Sequence, residues 1–289
     1  MRLITYRTLD ENGATSLNVG RVDGAGAPDD AVVTVEHPGV TDVGSLLAVP
    51  GWREVAAGAS GPTRRLGDLD LAPVVVAPSK IVCVGLNYKP HILEMGRDLP
   101  SDPTLFAKFA ATLTGPGDDI ALPPEDDAID WEGELTVVIG ERCRRVSEQD
   151  AAQVIAGYTV ANDISMRSWQ FRTKEWLQGK MWEASTPVGP ALVTTDEWQP
   201  GPRVATRVNG TEMQSAATDE LLFGPQRLVS YVSTMVTLQP GDILLTGTPG
   251  GVGRAMKPPR YLTDGDVVEV EIEGLGTVRN RMVAEPVEH

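Results

Sequence analysis

The sequence predicts a β-rich, α+β protein, and three observations lead to that class. Apolar runs are short, of the roughly four to eight residues that a strand occupies, and most are bounded by Gly, Pro, Asn or Asp. The 30 glycines and 22 prolines among 289 residues interrupt the chain too often for long helices. Only two segments combine helix start and stop signals. With 41% hydrophobic and 22% charged residues, the chain can bury a sizeable core.

Residues 1 to about 72 read as strands separated by the Gly-rich breaks Gly24-Ala-Gly26 and Gly58-Ala-Ser-Gly61-Pro62. Ala72-Pro73 and Ala77-Pro78 frame a linker, so the expected division is a small domain over 1–75 and a larger one over 76–289. The apolar strand Ile81-Val-Cys-Val84 breaks at Gly85, and Pro90 opens a turn of helix. His91 and Glu94, three residues apart, share one face of that turn, where the carboxylate can orient the imidazole and raise its basicity. Gly96, Pro100 and Pro103 make the stretch from Asn87 to Lys108 read as a lid.

The segment Asp130-Trp-Glu-Gly-Glu-Leu135 opens the apolar run Leu135–Ile139, which reads as a half-buried strand. A strand alternates its faces, so Glu132 and Glu134 point the same way with Cα atoms about 7 Å apart. Uncompensated like charges that close repel, and a divalent cation between them removes the cost. A third carboxylate, Asp163, follows the strand-like run Tyr158-Thr-Val160. Three carboxylates with no nearby cysteine form an oxygen-only ligand set that suits Mg²⁺, with Mn²⁺ or Ca²⁺ as alternatives, better than Zn²⁺.

The two expected helices are Glu148–Ala156, with a capping box from Ser147 and Asp150 and a stop at Gly157, and Pro225–Val236, with proline at its start. Val204 to Ser215 reads as a hairpin turning at Asn209-Gly210, which also accounts for the Asn209-Gly-Thr211 sequon. Asp242–Thr246 and Asp266–Ile272 read as strands.

Several function classes are excluded. Twenty-five basic against 40 acidic residues leave a formal charge of -15, which opposes nucleic-acid binding. No apolar stretch approaches the roughly 20 residues of a membrane span. Cys83 and Cys143 lack metal or redox spacing, and the start lacks a secretory layout, so a cytoplasmic, reduced protein is expected. Gly247-Thr-Pro-Gly-Gly-Val-Gly253 is glycine-rich, but Gly253-Arg254-Ala255 stands where a phosphate loop needs Gly-Lys-Ser/Thr. It reads either as a tight turn or as a substrate-contacting loop. A serine nucleophile elbow is missing, and Cys83 sits inside an apolar run where a thiol is inert.

Taken together, Asn87-Tyr88-x-x-His91-x-x-Glu94, Trp131-Glu132-Gly-Glu134-Leu135, Asn162-Asp163-Ile-Ser-x-Arg167-x-Trp169-Gln170, Gly179-Lys180 with Thr186-Pro-Val-Gly-Pro190, and Thr246-Gly-Thr-Pro-Gly-Gly-Val-Gly253 resemble the fumarylacetoacetate hydrolase family. The resemblance runs from about Pro78 to the end, and Met1-Arg-Leu-Ile-Thr-Tyr-Arg7 resembles the small amino-terminal α/β domain of many bacterial members. It implies a mixed β-sandwich roll, a homodimer and a substrate with a 2-oxo acid or 1,3-dicarbonyl unit whose oxygens chelate a metal on Glu132, Glu134 and Asp163. It also implies substrate contact through Thr248. Lys108-Phe109-Ala-Ala-Thr112, Pro90, Met166 and Ser168 depart from the usual family residues.

The activity expected from residues and resemblance together is metal-dependent hydrolysis of a carbon-carbon bond in an acylpyruvate-like or diketo acid. His91, oriented by Glu94, would activate water, and Lys180 would stabilise the oxyanion. Lys108, Arg167 and Gln170 would orient the substrate or its carboxylate. The alternative is a decarboxylase or isomerase of a 2-oxo diacid, acting on oxaloacetate or a hydroxymuconate-type compound. A non-catalytic, metal-stabilised binding protein is the remote third reading.

Overall fold

The structure is a computed structural model that describes residues 1–10, 12–89, 92 and 98–285. Among these residues strands dominate, as the short apolar runs require. A 12-stranded sheet has the central order Thr63–Arg65, Ala31–Thr34, Thr15–Asp23, Arg2–Leu9, Thr186–Thr194, Ile155–Asn162, Gly133–Ile139, Ile243–Leu245, Ile81–Gly85, Thr104–Lys108. A five-stranded sheet, ordered Thr211–Ala217, Arg203–Val208, Val267–Ile272, Gly276–Ala284, Ile120–Leu122, packs against it.

The strand Gly133–Ile139 is buried along its whole length because both its faces are covered. Leu135, Val137 and Ile139 join a core with Val204, Val270 and Ile272 of the five-stranded sheet, while Val138 joins a second core with Ile81, Cys83 and Leu245. A strand buried on two faces reads as a continuous apolar run.

Asn209 and Gly210 both take positive φ, 52° and 78°, and join Arg203–Val208 to Thr211–Ala217 as the expected hairpin. The second helix is Pro225–Met235. The first is shorter than expected: it ends at Val154, and Ile155 opens a strand in which Ile155 faces Ile139 and Gly157 faces Val138. Sheet pairing captures residues whose local pattern favoured helix, and Gly157 is a strand residue rather than a helix stop.

Residues 2–71 supply five strands and the helices Val43–Leu47 and Trp52–Ala57. Arg2 and Leu3 pair with Val193 and Leu192, which continues the large sheet into this part of the chain. Val74 and Val75, just beyond, are buried with Leu3, Leu46, Ile81 and Cys83. Arg7 fastens the two parts from outside. Its guanidinium donates to both oxygens of Asp118, at 2.9 and 2.7 Å, and Thr114 and Gly115 donate to the same carboxylate. Burial pushes the Asp118 carboxyl up, but these donors, Arg7 above all, hold it below its ordinary range.

A depressed carboxylate stabilises the fold above its unfolded pKa and loses that contribution as pH falls through the folded value. Asp118→Asn is therefore expected to cost about 1 kcal/mol at neutral pH, because the pair is partly solvated. The difference from the parent should shrink below the ordinary carboxylate value of about 3.9. Urea midpoints of both proteins at pH 7 and pH 3 check this.

Candidate active site

Three carboxylates converge because of strand register. Glu132 precedes the strand Gly133–Ile139 and Glu134 lies on it. Gly133 faces Asn162 across the antiparallel ladder, and the Asp163 N–H donates to the Glu132 carbonyl at 2.8 Å. One ligand oxygen from each of Glu132, Glu134 and Asp163 lies within 4.8 Å of the others, and all three side chains are buried. Gly133, between the two glutamates, is dictated by the opposite face. A Cβ there would stand 2.3 Å from Thr206 Oγ1 and 2.8 Å from a Val270 methyl, so only glycine lets the second sheet close over this point.

Cations surround the cluster. Lys180 Nζ donates to Glu132 Oε2 at 2.7 Å and to Asp163 Oδ2 at 2.8 Å, and Lys108 Nζ donates to Asp163 Oδ1 at 2.5 Å. Arg167 pairs through Nη1 with Glu132 Oε1 at 2.7 Å and through Nε with Asp130 Oδ2 at 2.8 Å. For three of these groups burial opposes the charge and the partners outweigh it. Asp163 is held below its ordinary range by Lys108 and Lys180, Lys180 is raised by Asp163 and Glu132, and Arg167 is raised by Glu132 and Asp130.

Glu134 is the exception. Among the described residues its bonded partner is the Gly247 N–H, at 2.7 Å, with no cation on it. Burial, and then repulsion from Asp163 and Glu132, push its carboxyl well up. A buried carboxylate short of countercharge, in an all-oxygen set, fits a hard divalent ion. A carboxylate has about four acceptor positions, so such an ion and Lys180 can share Glu132 and Asp163.

Beside the cluster opens a cavity of about 300 Å³, lined on its polar side by Glu132, Arg167, Gln170, Lys180, Thr248 and Arg254 and on its apolar side by Val84, Leu86, Phe106, Phe171, Trp176 and Val252. Its wall is built under constraint. Leu86 adopts φ 55°, a left-handed backbone that a branched side chain rarely takes, and a Cβ on Gly85 would fall 2.1 Å from the Trp176 ring.

The sequence-derived candidates meet here in part. Glu132, Lys180, Arg167, Gln170 and Thr248 line the cavity, while Lys108 stands behind it on Asp163. Gln170 accepts a hydrogen bond from Arg167 at 2.9 Å. Thr248 donates to the Gly133 carbonyl and accepts from Gln214, so much of its hydroxyl capacity is already used inside the fold. His91 and Glu94 lie outside the described residues, as does part of the expected lid.

Sequence reasoning missed three contributors. Asp130 holds Arg167 and also accepts the N–H groups of Gly253 and Arg254, so it ties the glycine loop to the acidic cluster. Gln214, on the five-stranded sheet, bridges Gly133, Thr248 and Pro249. Asn162 accepts the Glu132 N–H at 3.0 Å. Asp130 was legible as a third acid in Asp130-Trp-Glu-Gly-Glu134; Gln214 carried no local signal.

Comparison with known proteins follows the same lines. Residues 80–283 match the family model for the fumarylacetoacetate (FAA) hydrolase C-terminal region. The chain belongs to the fumarylacetoacetate hydrolase family. It is 48% identical over 217 residues to the mitochondrial oxaloacetate tautomerase FAHD2A of Bos taurus, covering 74% of this chain and 69% of that protein. Among solved structures it resembles the 5-carboxymethyl-2-hydroxymuconate delta-isomerase of Mycobacterium smegmatis, with 34% identity, TM-score 0.80 and coverage of 99% and 100% of the two chains. A fumarylacetoacetate hydrolase from Exiguobacterium antarcticum gives 31% identity and TM-score 0.83 over 98% of this chain and 100% of that one.

Two expectations follow from the charges. Arg167→Met leaves Asp130 buried without a cation and Glu132 with Lys180 alone, and should cost about 3–5 kcal/mol in urea unfolding. Glu134→Gln should keep or raise the melting temperature of chelator-treated protein, because it removes a buried carboxyl whose ionised form lacks a cation partner. The same substitution should abolish the stabilisation by Mg²⁺ or Mn²⁺, about 2.7 kcal/mol for the parent at a hundredfold excess over Kd, in thermal-shift titrations.

Proposed function

We propose that this protein is a divalent-metal-dependent isomerase or tautomerase of a 2-oxo diacid, acting by proton transfer at the carbon next to the oxo group. The observation that carries the reading is the buried cluster of Glu132, Glu134 and Asp163 opening through Glu132 and Lys180 onto one cavity. Relatives named as an oxaloacetate tautomerase and a hydroxymuconate isomerase support this chemistry over the carbon-carbon hydrolysis that the motifs first suggested. Hydrolysis additionally needs a water activated for attack on the distal carbonyl, whereas isomerisation needs only a group that carries the proton.

A divalent ion bound to the three carboxylates would supply Lewis acidity towards the oxo and carboxylate oxygens of the substrate. The chain's own groups do the rest. Lys180 is held charged, so it serves as an electrostatic stabiliser rather than a base. Two of its three N–H donors are taken by Glu132 and Asp163, which leaves one for the substrate oxygen that gains negative charge as the proton departs. Arg167 and Gln170 border the same cavity and fix the carboxylate of the reacting end. His91, with Glu94 the partner that the sequence spacing suggests, is our candidate for carrying the proton. Thr248 and the glycine loop complete the cavity wall.

The proposal keeps a homodimer in a reducing cytoplasmic setting, with which the buried, unpaired Cys83 and Cys143 are consistent. Among the described residues no helix is long and apolar enough to cross a membrane.

The test is deuterium incorporation at C3 of oxaloacetate, followed by NMR with added Mg²⁺ or Mn²⁺, alongside enol absorbance, pyruvate release and acylpyruvate cleavage. Exchange that disappears with chelator is expected. Pyruvate release would report the decarboxylase alternative, and acylpyruvate cleavage without exchange on the diacid would overturn the proposal in favour of a hydrolase. Lys180→Met should lower the exchange rate by about 10²–10³-fold, with folding checked by circular dichroism.

A further inference from the structure

We infer that Arg254, stacked on Phe171 at the mouth of the cavity, binds the distal carboxylate of a 2-oxo diacid. The inference rests on the preceding reading for which end of the substrate the acidic cluster receives, and it adds what recognises the other end.

The cavity is graded in depth. Lys180 is 1% exposed and lies at the floor, whereas Arg254 is exposed at the rim. Both line the same cavity, with Val84, Phe106, Trp176 and Val252 completing its wall. A molecule that fits carries an anionic, oxygen-rich head, an apolar carbon chain and a second anion.

Arg254 is prepared for such an anion. Its guanidinium carbon lies 3.7 Å from the centroid of the Phe171 ring, and among the described residues the one hydrogen bond of Arg254 to a carboxylate is made by its backbone N–H. Stacking engages the face of the guanidinium and leaves the in-plane N–H fork free, which is the edge that takes a carboxylate in bidentate fashion. Phe171 is 47% exposed, an unusual place for a large apolar ring unless something rests on it.

The backbone fixes the position as well. The Arg254 N–H donates at 3.0 Å to Asp130 Oδ2, the same oxygen that holds Arg167. The rim cation is thereby anchored to the residue that borders the floor. Its sign also matters: at a formal charge of -15 the protein repels anionic ligands at long range, and an exposed cation at the mouth offsets that locally.

The test uses two ligands that differ only at the far end, 2-oxoadipate and 2-oxohexanoate, titrated calorimetrically into Mn²⁺-loaded protein. Binding needs no turnover. The parent should hold 2-oxoadipate about tenfold more tightly, and the preference should weaken with salt. Arg254→Gln should reduce that ratio to about one. Arg254→Lys should retain part of it, because the charge stays while the fork and the stacking are lost. Phe171→Leu should retain part of it by loosening the guanidinium.

Equal affinity of the parent for the two ligands, binding of neither, or an unchanged ratio in Arg254→Gln would overturn the inference. Failure of the functional reading looks different: oxaloacetate would show no C3 exchange while the Arg254-dependent preference for the diacid persisted.

Discussion

The site depends on a balance of buried charge. Glu132, Glu134, Asp163 and Asp130 are taken out of water at the seam of two sheets, and Lys108, Lys180 and Arg167 are buried with them. Desolvating either set alone would cost several kcal/mol per ion, so neither persists without the other. The balance is incomplete at Glu134, and that incompleteness makes it the place where a further positive charge would be favoured. Structural and chemical demands thus meet in one group: the residue that fits the resting fold least well is the one that most favours a hard ion.

Much of this was legible in the sequence because strand geometry is periodic. Alternation aimed Glu132 and Glu134 to one side, and the turn chemistry of Asn209-Gly210 located a hairpin. The placement of Asp163 opposite Glu132 was not legible, because register between two strands separated by a helix is a tertiary fact. For the same reason Ile155 and Ala156 were misread as helix. Lys180 and Arg167 were nominated by resemblance, and their burial against the carboxylates became visible only in the fold. The cavity wall was the least legible part: Phe106, Trp176 and Arg254 come from three distant segments, and nothing in their neighbours in sequence announces that they meet.

The amino-terminal segment and the remainder share one continuous sheet and one of the two large cores. Leu3 and Leu192 face each other across paired strands, and Val74 and Val75 are buried beside Ile81. Arg2–Leu9 therefore covers the strand Thr186–Thr194, which in turn flanks Ile155–Asn162 and so supports Asp163. The segment outside the matched family region is packed into the scaffold two strands away from the acidic cluster.

The pairing of Gly133 with Asn162 has a consequence for how such an enzyme can change. Side chains alternate across a strand, so loss of Gly133 alone would move Glu134 into its place, towards Thr206 and Val270, and bring Leu135 to face Asp163. Glu132 and Glu134 would then stand on opposite faces of the strand. A change of chain length is better absorbed by the loops around the cavity mouth, which lie outside that ladder, than by the strand that holds the acidic floor.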